Sequence, residues 1–235
     1  MKKENSICIY SVLMLGVLII LASSCKKDDV TSATKITNTD IDGNVYDTIK
    51  IGTQVWMIEN LKVTRYNDGT AIPLVLDNTA WDFTNLTTDG YCWYNNDAPT
   101  YKNTYGALYN WYTVNTGKLC PTGWHVPTDA EWTTLTTYLG GESVAGGKLK
   151  EAGTTHWFAP NSGTNNESGF TGLPGGTRGG AGFPSFGYEG YWWSSSEGDA
   201  GPGGAWNRHL VYSGNHVYRE NFYNRAGFSV RCLKD

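Results

Sequence analysis

The sequence predicts an α+β fold, on three observations. A capped amphipathic helix lies near the middle of the chain, and short strand-like runs lie before and after it. A long stretch rich in Gly, Asn, Ser and Pro separates the helical part from the last strands. Composition agrees: 14% of the 235 residues are aromatic, 29 are Gly and only 17% are charged, the profile of a loop-heavy fold held by aromatic packing. The 10 Trp and 15 Tyr are spread along the chain and supply the apolar area that a disordered chain lacks. A formal net charge of −4 without a basic stripe argues against nucleic acid as a partner.

The N-terminus reads as an export signal. Lys2 and Lys3 precede an apolar run from Ile7 to Leu21. A permanent span needs about 20 apolar residues, so this one is marginal as a transmembrane helix. Leu21-Ala22-Ser23-Ser24-Cys25 resembles a lipobox, which predicts cleavage before Cys25 and acylation of that cysteine. Several acyl chains on one residue anchor stably where a single chain holds only marginally. The competing reading is a simple signal anchor. Cys25-Lys26-Lys27-Asp28-Asp29 resembles the charged tag of surface-exposed Bacteroidota lipoproteins, so the expected location is the outer membrane, facing the cell surface; a periplasm-facing anchor is the alternative. The expected organisation is a signal peptide over 1–24, a lipid-anchored flexible stalk over 25–40 and one domain over 41–235. Loss of the signal removes Lys2, Lys3 and Glu4 and makes the mature chain one charge more negative.

Along the domain, Val45 to Ile51 alternates as a strand, Gly52-Thr53 turns, and Val55 to Ile58 is its partner. Asn67-Asp68-Gly69 is a further turn. Leu108, Trp111 and Tyr112 carry a helical spacing between Tyr105 and Val114, with Gly117 beyond its end. Thr128-Asp129-Ala130-Glu131 is a capping box, followed at helical spacing by Trp132, Leu135, Thr136 and Leu139 and stopped by Gly140-Gly141. Ser143 to Glu151 is a second short helix. The stretch Thr154 to Glu189 has no period, and a loop of that length in a compact domain is usually functional or mobile. Four strand-like runs close the chain: Tyr191 to Ser194, Ala205 to Tyr212, His216 to Tyr218 and Phe228 to Leu233. Of the five cysteines, Cys8 leaves with the signal and Cys25 is taken by lipid. Cys92, Cys120 and Cys232 remain, an odd number that implies one disulfide and one free thiol in an oxidising compartment.

Five ordered strings carry a resemblance. They are Tyr105-Gly106-Ala107-Leu108-Tyr109-Asn110-Trp111, Cys120-Pro121-Thr122-Gly123-Trp124-His125-Val126-Pro127-Thr128, Gly169-Phe170-Thr171-Gly172-Leu173-Pro174-Gly175-Gly176, Gly190-Tyr191-Trp192-Trp193-Ser194-Ser195 and Gly227-Phe228-Ser229-Val230-Arg231-Cys232. Together they resemble the Fibrobacter succinogenes major paralogous domain, from about Ile41 to the C-terminus. The resemblance implies a fold distantly similar to C-type lectins and to the formylglycine-generating enzyme: two helices flanking small twisted antiparallel sheets, with a long loop region. It also implies a disulfide between Cys120 and Cys232. Family members often carry a cysteine shortly after the position of Cys92; this chain has none there, which leaves Cys92 free.

The resemblance to C-type lectins raises a calcium-dependent sugar site, but the chain lacks Glu-Pro-Asn, and Ala205-Trp206-Asn207-Arg208 puts a cation where a second acid would stand. A calcium-independent site is the alternative. Trp192, Trp193, Trp206, Tyr218 and Tyr223 offer flat faces to sugar rings, and Glu197, Asn207, Arg208 and Arg219 offer hydrogen bonds. Core packing of the same aromatics is the opposing reading, and strand alternation allows at most one of Trp192 and Trp193 on a given surface. His125, His156, His209 and His216 have no short metal-ligand spacing, no Gly-x-Ser-x-Gly elbow is present, and Gly175 to Gly180 lacks the lysine and helix of a phosphate loop. Asp40-Ile41-Asp42-Gly43-Asn44 reads as a turn, not a calcium loop. Asp47-Thr48-Ile49 fits a short O-glycosylation pattern, disfavoured by its place in a strand. No metal, cofactor or catalytic motif is expected. The expected function is a surface binding module for carbohydrate or another extracellular polymer, with protein docking in the envelope as the alternative.

Overall fold

The computed structural model describes residues 38–82, 86–199 and 203–235. Cys25, the signal peptide and most of the expected stalk lie outside the described residues. The last stalk residues do not belong to a stalk: Asn38–Thr39 (β1) pairs antiparallel with Val45–Tyr46 (β2). Asp40 makes that turn. Its Oδ1 accepts from the amides of Asp42 and Asn44, both at 2.9 Å, and its Oδ2 accepts from Asn44 Nδ2 (2.8 Å) and from the Tyr46 hydroxyl (2.7 Å). All of these donors come from the protein, so the segment is the turn its sequence predicts.

Thr48–Ile51 (β3) and Gln54–Met57 (β4) form the expected hairpin, with Gly52 at φ +62 in the turn. Thr48 lies in β3, inside the ladder. Tyr91–Cys92 (β5) follows, then a helix that the sequence reading missed, Ala98–Tyr105 (α1). Asp97 caps it by accepting from the Thr100 amide, and Pro99 sits in its first turn, where a missing N–H costs nothing. The helix expected from Tyr105 to Val114 is mostly not one. Gly106, at φ +74, stops α1, and Leu108–Tyr109 (β6) pairs with β5 while the Tyr109 amide donates to the Phe228 carbonyl. Only Trp111–Val114 (α2) is helical. The spacing of Leu108 and Trp111 records the burial of one residue in β6 and one at the start of α2, not one helical face.

Trp124–His125 (β7) leads into Asp129–Tyr138 (α3), whose capping box between Thr128 and Glu131 is fully formed. Trp132, Leu135 and Thr136 are its buried face. Glu142–Leu149 (α4) follows Gly140 and Gly141, both at positive φ. Four α-helices are therefore present among the described residues where the resemblance implied two.

Residues 150–188 form no named helix or strand, yet they are tied down. The Arg231 guanidinium, fully buried, donates to the carbonyls of Phe170 and Thr171 and stacks 3.9 Å from the centre of the Phe170 ring. Burial pulls its pKa down to about 9. Lys150, also buried, donates to the carbonyls of Val211 (2.8 Å) and Gly214 (2.7 Å).

Glu189–Glu197 (β8), Gly204–Val211 (β9) and Val217–Tyr223 (β10) form an antiparallel sheet in the order β10-β9-β8. Leu233–Lys234 (β11) returns to complete the sheet β3-β4-β11-β7. The β8 alternation splits the core. Trp193 packs with Tyr109, Trp111 and Phe228, whereas Trp192 packs with Trp56, Trp132 and Phe170. The Cys120–Cys232 disulfide closes 112 residues of chain, and Cys92 is free and buried, both as the resemblance implies. The architecture is α+β, as predicted.

Candidate functional site

The structure divides the residues expected to bind ligand into three groups. Trp192 and Trp193 are core residues, exposed by 1% and 0%. Their indole N–H groups are spent on Asn60 Oδ1 and the Tyr109 carbonyl, each at 2.8 Å. Neither ring can meet a ligand, which corrects that expectation. The Gly-Tyr-Trp-Trp-Ser run lies on β8, an outer strand of its sheet, and both of its faces are covered by core clusters. Asn207 is likewise fully buried, its Nδ2 donating to the Glu220 carbonyl at 2.9 Å. Glu197 is exposed at the end of β8, on the rim of the sheet.

Trp206, Arg208 and Arg219 are brought together, around a residue the sequence reading did not select. Asp129, the first residue of α3, accepts from Arg208 Nη1 at 2.7 Å and from Arg219 Nη2 at 2.9 Å. Burial raises its pKa, but the two arginines outweigh that and hold the carboxyl below its usual range. Arg219 lies over the Trp206 ring at 3.5 Å. Every charge here has a partner and the indole face is covered by Arg219. The cluster pins the start of α3 to β9 and β10; it does not present an open platform. Tyr218 is similarly engaged, stacked 4.5 Å from His209, itself stacked 4.8 Å from Tyr191.

His125 is another fully engaged group. Its Nδ1 lies 2.6 Å from Asp235 Oδ1 and its Nε2 3.0 Å from Glu131 Oε1. Ser195 and His125 line one small pocket of about 180 Å³, but with both ring nitrogens occupied by carboxylates the imidazole has none left to take a serine proton.

The open concavity lies elsewhere, on both sides of the tip of the long loop. Gly179 and Gly182 pair across this tip. One side is a pocket of about 440 Å³ lined by Thr177, Arg178, Phe183, Pro184 and Phe222. The other is a polar pocket of about 530 Å³ lined by Asn78, Tyr94, Asn95 and Asn96. They share Gly182 and Phe183.

Local backbone chemistry builds the polar side. Asn95 and Asn96 stand at φ +52 and +57, the left-handed region that asparagine tolerates better than other side-chain-bearing residues. Asn96 Nδ2 donates to the Leu76 carbonyl (2.9 Å), and the Tyr94 hydroxyl donates to the Phe183 carbonyl (2.7 Å), which fixes the loop tip to the turn. Behind them is an aromatic cluster: Phe186 lies 4.5 Å from Tyr94, 5.3 Å from Tyr101 and 4.9 Å from Tyr105. The sequence signal for this site was present but weak. Tyr94-Asn95-Asn96 is a turn signal, and Arg178 is the lone charge within a glycine-rich run.

The structure thus defines an α+β domain of small antiparallel sheets whose long loop borders an open aromatic and amide cleft. The chain belongs to the Fibrobacter succinogenes major domain family, whose sequence model it matches over residues 49–234. No curated protein and no solved structure matches it significantly.

Proposed function

We propose that this chain is a lipid-anchored outer-membrane protein, exposed at the cell surface, with a distantly C-type-lectin-like domain that binds carbohydrate or another extracellular polymer without calcium. One observation carries the binding reading: two adjoining pockets combine half-buried aromatic rings, Phe183 and Tyr94, with exposed amides, Asn78 and Asn95, around one loop tip. Aromatic faces suit the C–H faces of sugar rings, and a primary amide supplies both donors and acceptors to hydroxyls. Among the described residues no histidine, aspartate or glutamate lines either pocket, which favours binding over proton-transfer chemistry.

The reading is tested by screening the detergent-solubilised full chain against a polysaccharide panel, with calcium and with chelator. Binding that survives chelation and falls about tenfold or more in Asn95→Ala or Tyr94→Ala supports it. Binding that needs calcium, or that ignores both substitutions, overturns it. Labelling of Cys25 by a palmitate analogue tests the anchor, and protease accessibility on intact cells tests the side of the membrane.

A second reading, docking of an envelope protein, has its own observation. β10 is an edge strand, and Tyr218, Phe222 and Tyr223 on it are 36%, 38% and 54% exposed. An edge strand with exposed aromatics is a template for a partner strand. Cross-linking from a reactive group placed at Tyr223, set against the glycan screen, separates the two.

A further inference from the structure

Among the described residues four arginine and lysine side chains are buried, and three of them have close partners, although Nε of Arg208 and of Arg231 is unpaired. Arg208 has Asp129, Arg231 has Asn60 and two carbonyls, and Lys150 has two carbonyls. Arg178 is different. It is fully buried, its Nε and Nη1 have no hydrogen-bond partner, and its Nη2 makes only a long 3.5 Å contact to the Leu76 carbonyl. Asp77 is felt only at a distance, with no ion pair formed. The nearby Cys92 thiol supplies no charge, since burial pushes its pKa up to about 12.

The guanidinium is nonetheless held in place. Its backbone pairs with Gly227 in both directions, N–H to carbonyl at 2.9 and 2.8 Å. Its plane lies 4.4 Å from the Phe183 ring centre and 5.5 Å from that of Trp81. A Cβ on Gly227 would come within 2.7 Å of the Arg178 Cβ, so the close approach of the two segments depends on that glycine. A cation fixed between rings, buried and without an anion, is the arrangement proteins avoid unless a ligand completes it. Arg178 also lines the 440 Å³ pocket, and the bordering tip, Gly179 to Gly182, carries no side chain larger than a methyl.

We infer that Arg178 is the anion-recognising residue of the cleft, and that the ligand is an acidic saccharide whose carboxylate or sulfate reaches its unpaired N–H groups as the half-buried Phe183 ring, which covers the guanidinium at 4.4 Å, swings from it onto the sugar. This rests on the binding reading above and narrows it. A planar fork of donors matches two oxygens of one carboxylate or sulfate. Phe222, Phe183 and Pro184 would take the apolar face of the same sugar ring, and Thr177 a hydroxyl.

The test is calorimetric titration of the detergent-solubilised full chain with a galacturonate oligomer and with the same oligomer methyl-esterified, in which each carboxylate is replaced by a neutral methyl ester. The acid form is expected to bind about tenfold tighter or more, the effect of one charge-assisted hydrogen bond. The preference should vanish in Arg178→Gln, and the Arg178 Nε–H resonance should move with the acid form alone. Should that variant fail to fold, the ester comparison and the resonance of the native chain decide. Equal binding of both forms, or an unmoved Arg178 resonance, overturns the inference and leaves the cleft reading standing. Binding of neutral glycans alone does the same. Failure of every glycan on the panel overturns both.

Discussion

Arg231 donates through Nη2 to Asn60 Oδ1 at 2.9 Å, across 171 residues of sequence. The same oxygen accepts from the Trp192 indole at 2.8 Å, and Asn60 Nδ2 donates to the Tyr105 carbonyl at 2.9 Å. One buried amide therefore joins the end of α1, strand β8 and the guanidinium that holds the long loop. Asn60→Ala leaves the Trp192 indole with an unpaired buried donor and Arg231 Nη2 with only the long 3.5 Å contact to the Thr171 carbonyl. A loss of about 2–4 kcal/mol in unfolding free energy is expected. Urea denaturation measures it, and a loss below about 1 kcal/mol would show that water replaces the amide.

The two arginines on Asp129 should differ sharply. Arg208 is 1% exposed, so Arg208→Ala leaves a half-satisfied carboxylate and empties a buried volume, at a cost of about 3–5 kcal/mol. Arg219 is 36% exposed, and after screening by solvent its ion pair contributes about 1 kcal/mol or less. Equal losses in the two variants would mean that the cation–π contact with Trp206, not the ion pair, dominates.

These residues also show where sequence reading succeeds and stops. The capping box, the Gly52 hairpin and the last strands were legible because local chemistry decides them: a side-chain oxygen on an amide, a positive φ, an alternation. The disulfide followed from resemblance. What failed was non-local. Leu108 and Trp111 have a helical spacing, yet the pairing of β6 with β5 and Phe228 overrides it. Trp192 and Trp193 read as a surface because one face of a strand usually meets water; here both faces of β8 meet a core. Arg178 could not be ranked above other arginines, since only the fold shows which ones lack a partner.

The disulfide and the free cysteine predict opposite redox behaviour. Cross-linking a loop of 112 residues removes unfolded-state freedom equivalent to about 3–5 kcal/mol. Cys120→Ser combined with Cys232→Ser should lower stability by that amount. Cys92, fully buried and with its thiol pKa raised to about 12, should resist alkylation until the chain unfolds. Rapid modification of the native chain would contradict its burial.

Stability should depend on pH through His125. Burial lowers its pKa, but hydrogen bonds to Asp235 and Glu131 outweigh it, and the net shift is upward from 6.5. Its contribution is therefore full below pH 6.5 and is lost as pH rises through the higher folded value. Glu131 shifts down from 4.5: burial raises its pKa, and bonds from Thr128 and His125 outweigh it. Its contribution is lost as pH falls through the lower folded value. His209, whose pKa burial pushes down, works against His125 by destabilising the fold as pH drops below 6.5. The difference between native chain and His125→Phe isolates the first effect. It should be largest between about pH 5 and 6.5 and shrink on the alkaline side. A difference flat from pH 5 to 9 would mean that His125 is not charged in the fold.

Gly146 decides between two opposing rules. It lies inside α4, where glycine is less favourable than alanine by about 1 kcal/mol, so propensity alone predicts that Gly146→Ala stabilises. A Cβ there would meet the carbonyl oxygens of Asn215 and His216 at 2.6 and 2.7 Å. Both atoms belong to backbone, and the Gly146 amide already donates to the Asn215 carbonyl at 2.8 Å, so neither can move without breaking that bond. The contact should win and Gly146→Ala should destabilise by about 1–3 kcal/mol, the usual cost of overpacking. Gly153, with nothing within 4 Å but φ +82, separates the two causes of glycine retention. There an alanine meets no neighbour and suffers only the backbone term of about 1–2 kcal/mol. A Gly146→Ala chain as stable as the native one would show that α4 can tilt away from the Asn215 turn.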